Sequence, residues 1–318
     1  MRARARRARR GPLKHPIRHR LELAALRSIE AMAGALPERA RDAAGGALGL
    51  VAGDVARIRR DLVESNIRRA FPEKDADWHR RIARESYRHL GREALAMVAL
   101  GARSADEIRE RTPITGWERL KQAIDAGRGV VMVTGHFGNW ELAAASLAVR
   151  GVAIDGVVQR QRNPLVDRDI RAVRERLGVR IIDRRRASKL VPPALHEGRV
   201  VGFVADQDAG RHGVFVPFFG QMASTHRGAA LLALRARAPL FVGVAVRRHD
   251  GTYDCRTDEI VVDRDGPVDD VVLRMTAAFT ARLEAEIRTA PGQYFWLHRR
   301  WKTRPPQDPA ARAGRSLL

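Results

Sequence analysis

The sequence predicts an α/β protein: a mixed, largely parallel central sheet flanked by helices, preceded by an N-terminal helical segment. From Ile114 onward, short β-branched apolar runs alternate with longer amphipathic segments, a pattern typical of a sheet covered by helices on both faces. Residues 21–110 instead keep the 3.6-residue period of helices. With 318 residues and 45% hydrophobic content, the chain can bury one large core or two modest ones.

The chain begins with a basic segment. Residues 1–20 contain nine Arg or Lys residues and no acid, so we expect a disordered basic arm that is attracted to anionic surfaces. The apolar stretch that follows is interrupted by Glu22, Arg27 and Glu30, which argues against a signal peptide. No uncharged run is long enough to span a bilayer. Attachment to a membrane would therefore be peripheral.

Four helices are predicted in the N-terminal region, residues 21–110. Residues 21–36 and 38–51 are amphipathic and are separated by Pro37. They suit either an interfacial hairpin at a membrane or a helical pair packed on the core, and the sequence does not separate these interpretations. Residues 54–70 and 76–100 continue the helical period on either side of a Phe-Pro break.

Strands and helices alternate in the predicted core, residues 111–305, which leaves 306–318 as a tail. Strands are expected at 130–134, 153–159, 179–182, 200–205 and 240–246, with an antiparallel edge strand at 253–262. Helices are expected at 116–126, 139–149, 164–177, 187–197, 225–236 and 268–288.

The segment Thr134 to Glu141, TGHFGNWE, places a histidine and a carboxylate five residues apart in a strand-to-helix loop. In one regular helix the two side chains would point about 140° apart, but a loop through Gly138 lets them meet. Glu141 would then hold the Nδ1 proton of His136, leaving Nε2 to act as a general base. In a purely structural interpretation, His136 caps the helix and Glu141 favours its N-terminus. Asn139, at the helix start, would support the site.

A second polar group follows the strand at 200–205. Asp206 and Gln207 occupy the carboxyl end of that strand, where sites form in open α/β sheets, as His136 does at its own strand. Asp206 is expected to orient a base or to accept a hydrogen bond from a substrate hydroxyl. Only Asp206 and Asp208 would share a side of the strand, so we do not expect a metal site.

Three further segments leave alternatives open. Residues 214–220, VFVPFFG, suit the core, the wall of an acyl-chain tunnel, or both. Arg171 and Arg174 share a helix face and could hold a phosphate. Residues 293–305, QYFWLHRRWKTRP, interleave aromatic and basic side chains, as an RNA-stacking surface, a membrane-interface belt or a basic-flanked strand would.

The formal net charge of +22, mostly arginine, predicts attraction to polyanions: nucleic acid, anionic lipid or an acidic protein. A high-GC genome would also raise the arginine content. The single cysteine, Cys255, excludes an intrachain disulfide and lies in an alternating segment, as a strand residue rather than a nucleophile. Cysteine usage indicates the reducing, cytosolic side.

The motifs TGHFGNWE, VVQRQRNPLVD, VADQDAG with VFVPFFG, and QYFWLHRRWKTRP, in this order, resemble the late lipid A biosynthesis acyltransferases. That family lies within the glycerolipid acyltransferase-like group, and the resemblance covers roughly residues 21–305. It implies His136 as base and Glu141 as its orienting carboxylate. It also implies Arg174 and Asp206 as supporting residues, while Arg160 matches with a shifted spacing. Unlike many members, the chain has no N-terminal transmembrane helix.

The resemblance further implies transfer of an acyl chain from a thioester, on acyl carrier protein or coenzyme A, to a hydroxyl of an anionic glycolipid. No cofactor, metal or nucleic acid is expected. The chain would act peripherally at the cytoplasmic face of the inner membrane. Two alternatives remain: another lipid acceptor, such as a phosphatidylinositol mannoside or a lysophospholipid, and a nonenzymatic basic protein that binds nucleic acid or membrane surfaces.

Overall fold

A computed structural model of the protein describes residues 16–306. Helices make up its N-terminal part. They are α1 (Pro16–Ala35), α2 (Glu38–Leu50) with a π-helical turn at Val51–Val55, α3 (Arg60–Ala70) and α4 (Ala76–Leu100). Most of the predicted basic arm, residues 1–15, lies outside the described residues, and residues 16–20 are the first turns of α1 rather than an irregular segment. None of the helices within residues 16–306 combines the length and apolar character needed to cross a membrane.

Helix α4 is the support for the other N-terminal helices. Both α1 and α2 pack against it, as the interpretation of a helical pair on the core requires, and contact of residues 21–51 with a membrane stays a prediction. The α2–α4 crossing depends on glycine. A Cβ on Gly91 would lie 2.0 Å from the carbonyl oxygen of Gly45, and a Cβ on Gly49 would lie 1.9 Å from that of Tyr87. A larger residue would force these two helices apart.

Strands alternate with helices in the rest of the chain. The strands are β1 (Ile114–Thr115), β2 (Val130–Thr134), β3 (Ile154–Val158), β4 (Val179–Asp183), β5 (Val200–Val204), β6 (Val214–Phe218), β7 (Gln221–Thr225), β8 (Leu240–Arg247) and β9 (Tyr253–Glu259). The helices are α5 (Ala105–Arg111), α6 (Trp117–Asp125), α7 (Trp140–Ala148), α8 (Pro164–Arg176), α9 (Ala187–His196), α10 (Gly228–Arg235) and α11 (Val268–Thr289).

Seven strands form one sheet in the order β1-β9-β8-β2-β5-β3-β4. All neighbouring pairs in it are parallel except β8 with β9. The predicted mixed, largely parallel sheet with flanking helices is therefore confirmed. The predicted antiparallel strand is present as β9, but it is not the edge, because the two-residue strand β1 pairs along its outer side.

Two apolar layers cover the sheet. On one face, Val130, Met132, Ile154 and Val179 pack with Leu120 of α6 and the neighbouring α7. On the other face, side chains of β2, β5 and β8 form the larger core with α9, α10 and α11. Successive residues of each strand point to opposite faces of the sheet, so alternate side chains pack in opposite layers. The site described below lies at the carboxyl edge between these layers.

A β-hairpin, β6 with β7, was not predicted. Its second strand occupies the start of the helix expected at 225–236, which instead begins at Gly228. Residues 214–220 pack against α11 and place Phe218 and Phe219 in the core. Within the described residues they line neither of the two large cavities discussed below. The core interpretation of this segment is confirmed for Phe218 and Phe219, whereas the wall of an acyl-chain tunnel stays a prediction that these two cavities do not support.

The C-terminal segment, residues 293–305, is also core rather than a binding surface. Tyr294, Trp296 and Trp301 are buried, and Arg300 is buried beside the hydroxyl of Thr225 at 2.6 Å. These side chains cannot stack on RNA bases or form an interfacial belt, and the segment is not a strand. It runs instead along the loop that carries His136.

Candidate active site

The loop after β2 holds His136 in a fixed position. The backbone N–H of Phe295 donates to the carbonyl oxygen of His136 at 2.9 Å, and that of Gly138 donates to Gln293 at 3.0 Å. Gly138 has a φ of +58°, and a Cβ there would lie 1.9 Å from the carbonyl oxygen of Ala245. The glycine of the TGHFGNWE motif is therefore required both by backbone conformation and by close packing.

Asp206 holds the imidazole of His136. Its Oδ1 lies 2.8 Å from Nδ1, and its Oδ2 accepts a hydrogen bond of 2.8 Å from the backbone N–H of the same histidine. Asp206 is 3% exposed. It reaches His136 because β5, which it follows, is the neighbour of β2. One buried carboxylate thus fixes both the position of the loop and the orientation of the ring, and the partner of Nδ1 leaves Nε2 for chemistry.

The two groups shift each other's proton affinity. Burial alone would lower the pKa of His136, but the charge and hydrogen bond of Asp206, with a contribution from the charge of Glu141, raise it above its ordinary value. Burial alone would raise the pKa of Asp206, yet the interactions with His136 and His298 hold that pKa well below the usual range. Both shifts favour an imidazolium beside a carboxylate, the charge state that follows proton uptake by His136.

Glu141 does not contact the imidazole through the hydrogen bond that its spacing suggested. It receives two hydrogen bonds from the guanidinium of Arg174, one of them from Nε at 2.9 Å. The reason is the direction of α7: Glu141 lies on its first turn and faces α8, whereas Nδ1 faces the end of β5. The carboxylate that contacts Nδ1 in this structure is therefore Asp206 and not Glu141, while the catalytic role of Glu141 stays a prediction.

Asn139 links the loop that carries His136 to α7 and α4. Its Oδ1 accepts from the N–H of Leu142 at 2.8 Å and so caps α7, while its Nδ2 donates to Glu93 at 2.7 Å. Glu93 is itself buried and accepts a hydrogen bond of 2.8 Å from Tyr253. Sequence reasoning did not single out Glu93, which lies in the middle of α4 with nothing local to distinguish it from a surface acid.

Gln207 is exposed, and its Nε2 lies 3.5 Å from Nε2 of His136. Arg160 lies farther along the sheet edge and pairs with Asp183. The two arginines expected to hold a phosphate on α8 already have carboxylate partners. Arg171 pairs with Asp167, and Arg174 with Glu141.

Two further polar side chains complete the surroundings of Asp206. His298 places its Nε2 3.8 Å from Oδ2 of Asp206, and the hydroxyl of Tyr294 lies 3.2 Å from the same nitrogen. The sequence contained a signal for this arrangement, a histidine within an aromatic run, but that pattern was equally typical of a surface segment. Its role depends on the packing of the C-terminal segment against the loop of His136.

A cavity of about 650 Å³ opens beside His136 on the sheet face covered by α7 and α8. We call it the His136 cavity. Its apolar lining includes Leu90, Met97, Val98, Ile170, Val173 and Ile181. On its floor, Gly156 of β3 and Gly202 of β5 are paired in register. Because these adjacent strand residues have no side chains, the cavity extends down to the sheet. Its volume lies within the range of small-molecule sites.

Side chains that could bind a metal ion or act as a nucleophile are the other candidates among the described residues. Within residues 16–306, no three His, Cys, Asp or Glu side chains are grouped to hold a metal ion. Asp208 is used structurally, since it accepts hydrogen bonds from the backbone and hydroxyl of Thr303. Cys255 is buried in β9, and burial raises the pKa of its thiol to about 12. A thiol of this kind is a poor nucleophile.

Comparison with known proteins agrees with the motifs. The sequence profile of bacterial lipid A biosynthesis acyltransferases matches residues 14–303. The lipid A biosynthesis lauroyltransferase of Escherichia coli (strain K12) is 30% identical over 266 residues, covering 83% of this chain and 85% of the relative. The palmitoleoyltransferase of the same organism is 30% identical over 265 residues, with 81% and 83% coverage. The phosphatidylinositol mannoside acyltransferase of Mycolicibacterium smegmatis is 28% identical over 233 residues, with 72% and 74% coverage.

Proposed function

The chain belongs to the bacterial lipid A biosynthesis acyltransferase family and is an O-acyltransferase, and we propose that it transfers a fatty acyl chain from an acyl thioester to a hydroxyl of a membrane glycolipid such as a lipid A precursor. The observation that carries this proposal is the pairing of His136 with buried Asp206 at the mouth of an apolar cavity. A histidine held in this way is suited to remove a proton from an alcohol.

In the proposed reaction, Nε2 of His136 takes the proton of the acceptor hydroxyl as its oxygen attacks the thioester carbonyl. The C–O bond forms, and the carbonyl electrons move onto oxygen. Collapse of this tetrahedral species breaks the C–S bond, and the leaving thiolate takes the proton back from Nε2. Asp206 stabilises the imidazolium between the two proton transfers, and the amide of Gln207 is placed to donate to the developing oxyanion.

Direct transfer is favoured over an acyl-enzyme intermediate. Among the described residues that line the His136 cavity, Ser86 is the only serine, and its hydroxyl donates to the carbonyl oxygen of Tyr294 at 2.9 Å. Cys255 lies in β9, away from this cavity. Neither side chain is paired with a base as a nucleophilic serine or cysteine would be.

The transferred acyl chain lies in the His136 cavity in this proposal. The apolar lining favours a hydrocarbon chain, and the two floor glycines leave room for it against the sheet. The Glu141–Arg174 pair forms a charged part of the wall. We assign it a supporting role, in which each charge neutralises the other where water is partly excluded.

Acyl carrier protein is the proposed donor, with acyl coenzyme A as the alternative. A net charge of +22 attracts an acidic carrier protein more strongly than a small thioester. The test is to compare transfer rates from the two thioesters at increasing salt, since attraction between large charged surfaces is screened.

The proposed location is the cytoplasmic face of the inner membrane, with peripheral attachment. Within the described residues, nine of the thirteen exposed large hydrophobic side chains lie between positions 17 and 58, on α1, α2 and the connection to α3. Leu26 and Glu30 of α1 also line the His136 cavity. A membrane that contacts this region would therefore lie close to the cavity that accepts the hydrocarbon.

The proposal is tested in a host that lacks its own late acyltransferase. The host lipids are analysed by mass spectrometry with and without this gene. The lipid whose mass increases by one acyl group is the acceptor. A His136→Ala copy is the matched control. An added acyl group on a lipid A precursor supports the proposal. An added acyl group on a lysophospholipid or an inositol mannoside instead would show that the proposed acceptor is wrong. No added acyl group on any lipid would contradict acyl transfer to membrane lipids.

A further inference from the structure

A second large cavity, of about 1030 Å³, lies on the opposite face of the sheet, between β5 and helices α9 and α10. We call it the basic trough. Its middle is apolar, and its lining there includes Val157, Leu195, Phe203, Leu231 and Leu232. Phe203 and Leu231 are only partly buried, so the trough leaves apolar surface uncovered in the structure.

Cationic side chains stand at both ends of the trough. Arg184 follows the last residue of β4, at the same carboxyl edge of the sheet at which His136 follows β2. Arg128 precedes β2, and Arg235 ends α10, so both lie toward the amino edge. The five-residue strand between these edges spans roughly 17 Å. An extended ligand could therefore contact both ends at once.

The charge of the trough is uncompensated. Among residues 16–306, no Asp or Glu lines it, and Arg128, Arg184 and Arg235 form no ion pair within that range. The carboxylates of the His136 cavity differ in this respect: Glu93, Glu141 and Asp155 line it, and each is paired with an arginine. An anionic group is therefore favoured in the trough, where the cationic side chains have no carboxylate partner within residues 16–306.

We propose that the basic trough binds the lipid acceptor through its hydrocarbon and phosphate groups, so that the two substrates approach His136 from opposite faces of the sheet. This proposal rests on the proposed function. Gln207 connects the trough to His136, because it lines the trough and its Nε2 lies 3.5 Å from Nε2 of His136. Val157, Gln159, Phe203 and Val204 line both cavities, so the two meet at the ends of β3 and β5.

The acyl donor is the weaker candidate occupant. A phosphopantetheine thioester also carries a phosphate, but its arm contains amides that need hydrogen-bond partners. Polar side chains do line the trough, among them Gln159, Ser188 and His226, but the arm has its phosphate at one end only, whereas the trough has cationic side chains at both ends. Its volume also reaches the upper end of the range for small-molecule sites, which suits a lipid better than one slender arm.

The first test measures binding without turnover. The His136→Ala protein is titrated with dodecyl phosphate, and separately with uncharged dodecyl maltoside, by calorimetry. We expect binding of dodecyl phosphate that Arg128→Ala with Arg235→Ala weakens by at least about 10-fold, the loss expected for a charge-assisted hydrogen bond. The matched control is Arg185→Ala with Arg186→Ala, which removes the same charge from exposed positions outside the trough. Equal weakening in both double variants would overturn the site.

The second test assigns the occupant. In the enzyme with His136 intact, the trough variant should raise the KM for the phosphorylated lipid acceptor and leave the KM for the acyl thioester unchanged. A rise in the thioester KM alone would overturn the acceptor assignment in favour of the carrier arm. Leu231→Trp, which fills the trough without changing charge, should weaken dodecyl phosphate binding as well. Because the calorimetry uses the His136→Ala protein, it measures ligand binding to the trough even if acyl transfer is not observed.

Discussion

Asp206 binds His136 twice, through the backbone N–H and through Nδ1, although the two residues are 70 positions apart in the chain. The carboxylate therefore couples the position of the loop to the orientation of the ring. Any movement of β5 relative to β2 would disturb both hydrogen bonds together. The parallel pairing of these strands is what places His136 and Asp206 at one edge of the sheet.

Replacing Asp206 with Asn should shift the pH dependence of catalysis. The charge of Asp206 helps raise the pKa of His136, and His136 must be neutral to accept a proton. Activity should therefore rise with pH as His136 deprotonates. In Asp206→Asn that rise should occur at lower pH, while the maximal rate falls by roughly 10²-fold or more because the tautomer is no longer fixed. The measurement is the dependence of kcat on pH. If the rise of kcat on the acidic side of the profile (its acidic limb) occurs at the same pH in Asp206→Asn, the charge of Asp206 does not control the pKa of His136.

Glu141→Gln should act mainly through Arg174. The pair is mostly buried, and a guanidinium left without its carboxylate should cost up to roughly 3 kcal/mol of unfolding free energy. Urea denaturation measures this cost, and Glu141→Gln with Arg174→Gln should recover part of it. The acidic limb of kcat should shift less than in Asp206→Asn. If Glu141→Gln shifts the limb as far as Asp206→Asn does, Glu141 rather than Asp206 controls the base during turnover.

The sequence predicted the sheet and the position of His136 because both depend on local patterns. Apolar strand runs and the loop glycines carry that information within a few residues. The partner of His136 was not local: Glu141 was nearby in sequence, whereas Asp206 became the partner through strand order. The burial of Tyr294 and Trp296 was missed for the same reason, since alternating aromatic and basic residues do not reveal which loop they pack against. Glu93 carried no local signal at all.

Gly202→Val should change the preferred acyl-chain length. A Cβ at this position meets only the carbonyl oxygen of Asp155, at an ordinary 3.7 Å, so the fold should tolerate the change. The larger side chain would narrow the floor of the His136 cavity. We expect the rate ratio of a 12-carbon to a 16-carbon thioester to rise at least about 10-fold. Gly202→Ala is the control and should give a smaller change in this ratio. An unchanged ratio in Gly202→Val would show that the acyl chain does not lie in the His136 cavity.

Membrane binding should depend on the exposed apolar residues of α1. Ile17, Leu21 and Met32 are more than half exposed, and their insertion should contribute about 1 kcal/mol or more each. Changing all three to Ser should weaken sedimentation with anionic vesicles by at least about 10-fold. The control, Met222, Val261 and Leu273 to Ser, removes exposed apolar groups from other surfaces. Equal losses from the two triple variants would reject α1 as the contact.

The most direct test of the account is acyl transfer by purified protein carrying His136→Ala. The assay follows ester formation between an acyl thioester and a detergent-dispersed lipid A precursor by mass spectrometry, with circular dichroism as the check on folding. We predict product with the unmodified protein and a rate at least about 10²-fold lower with the variant. A folded His136→Ala protein that forms the ester at the unmodified rate would contradict His136 as the base.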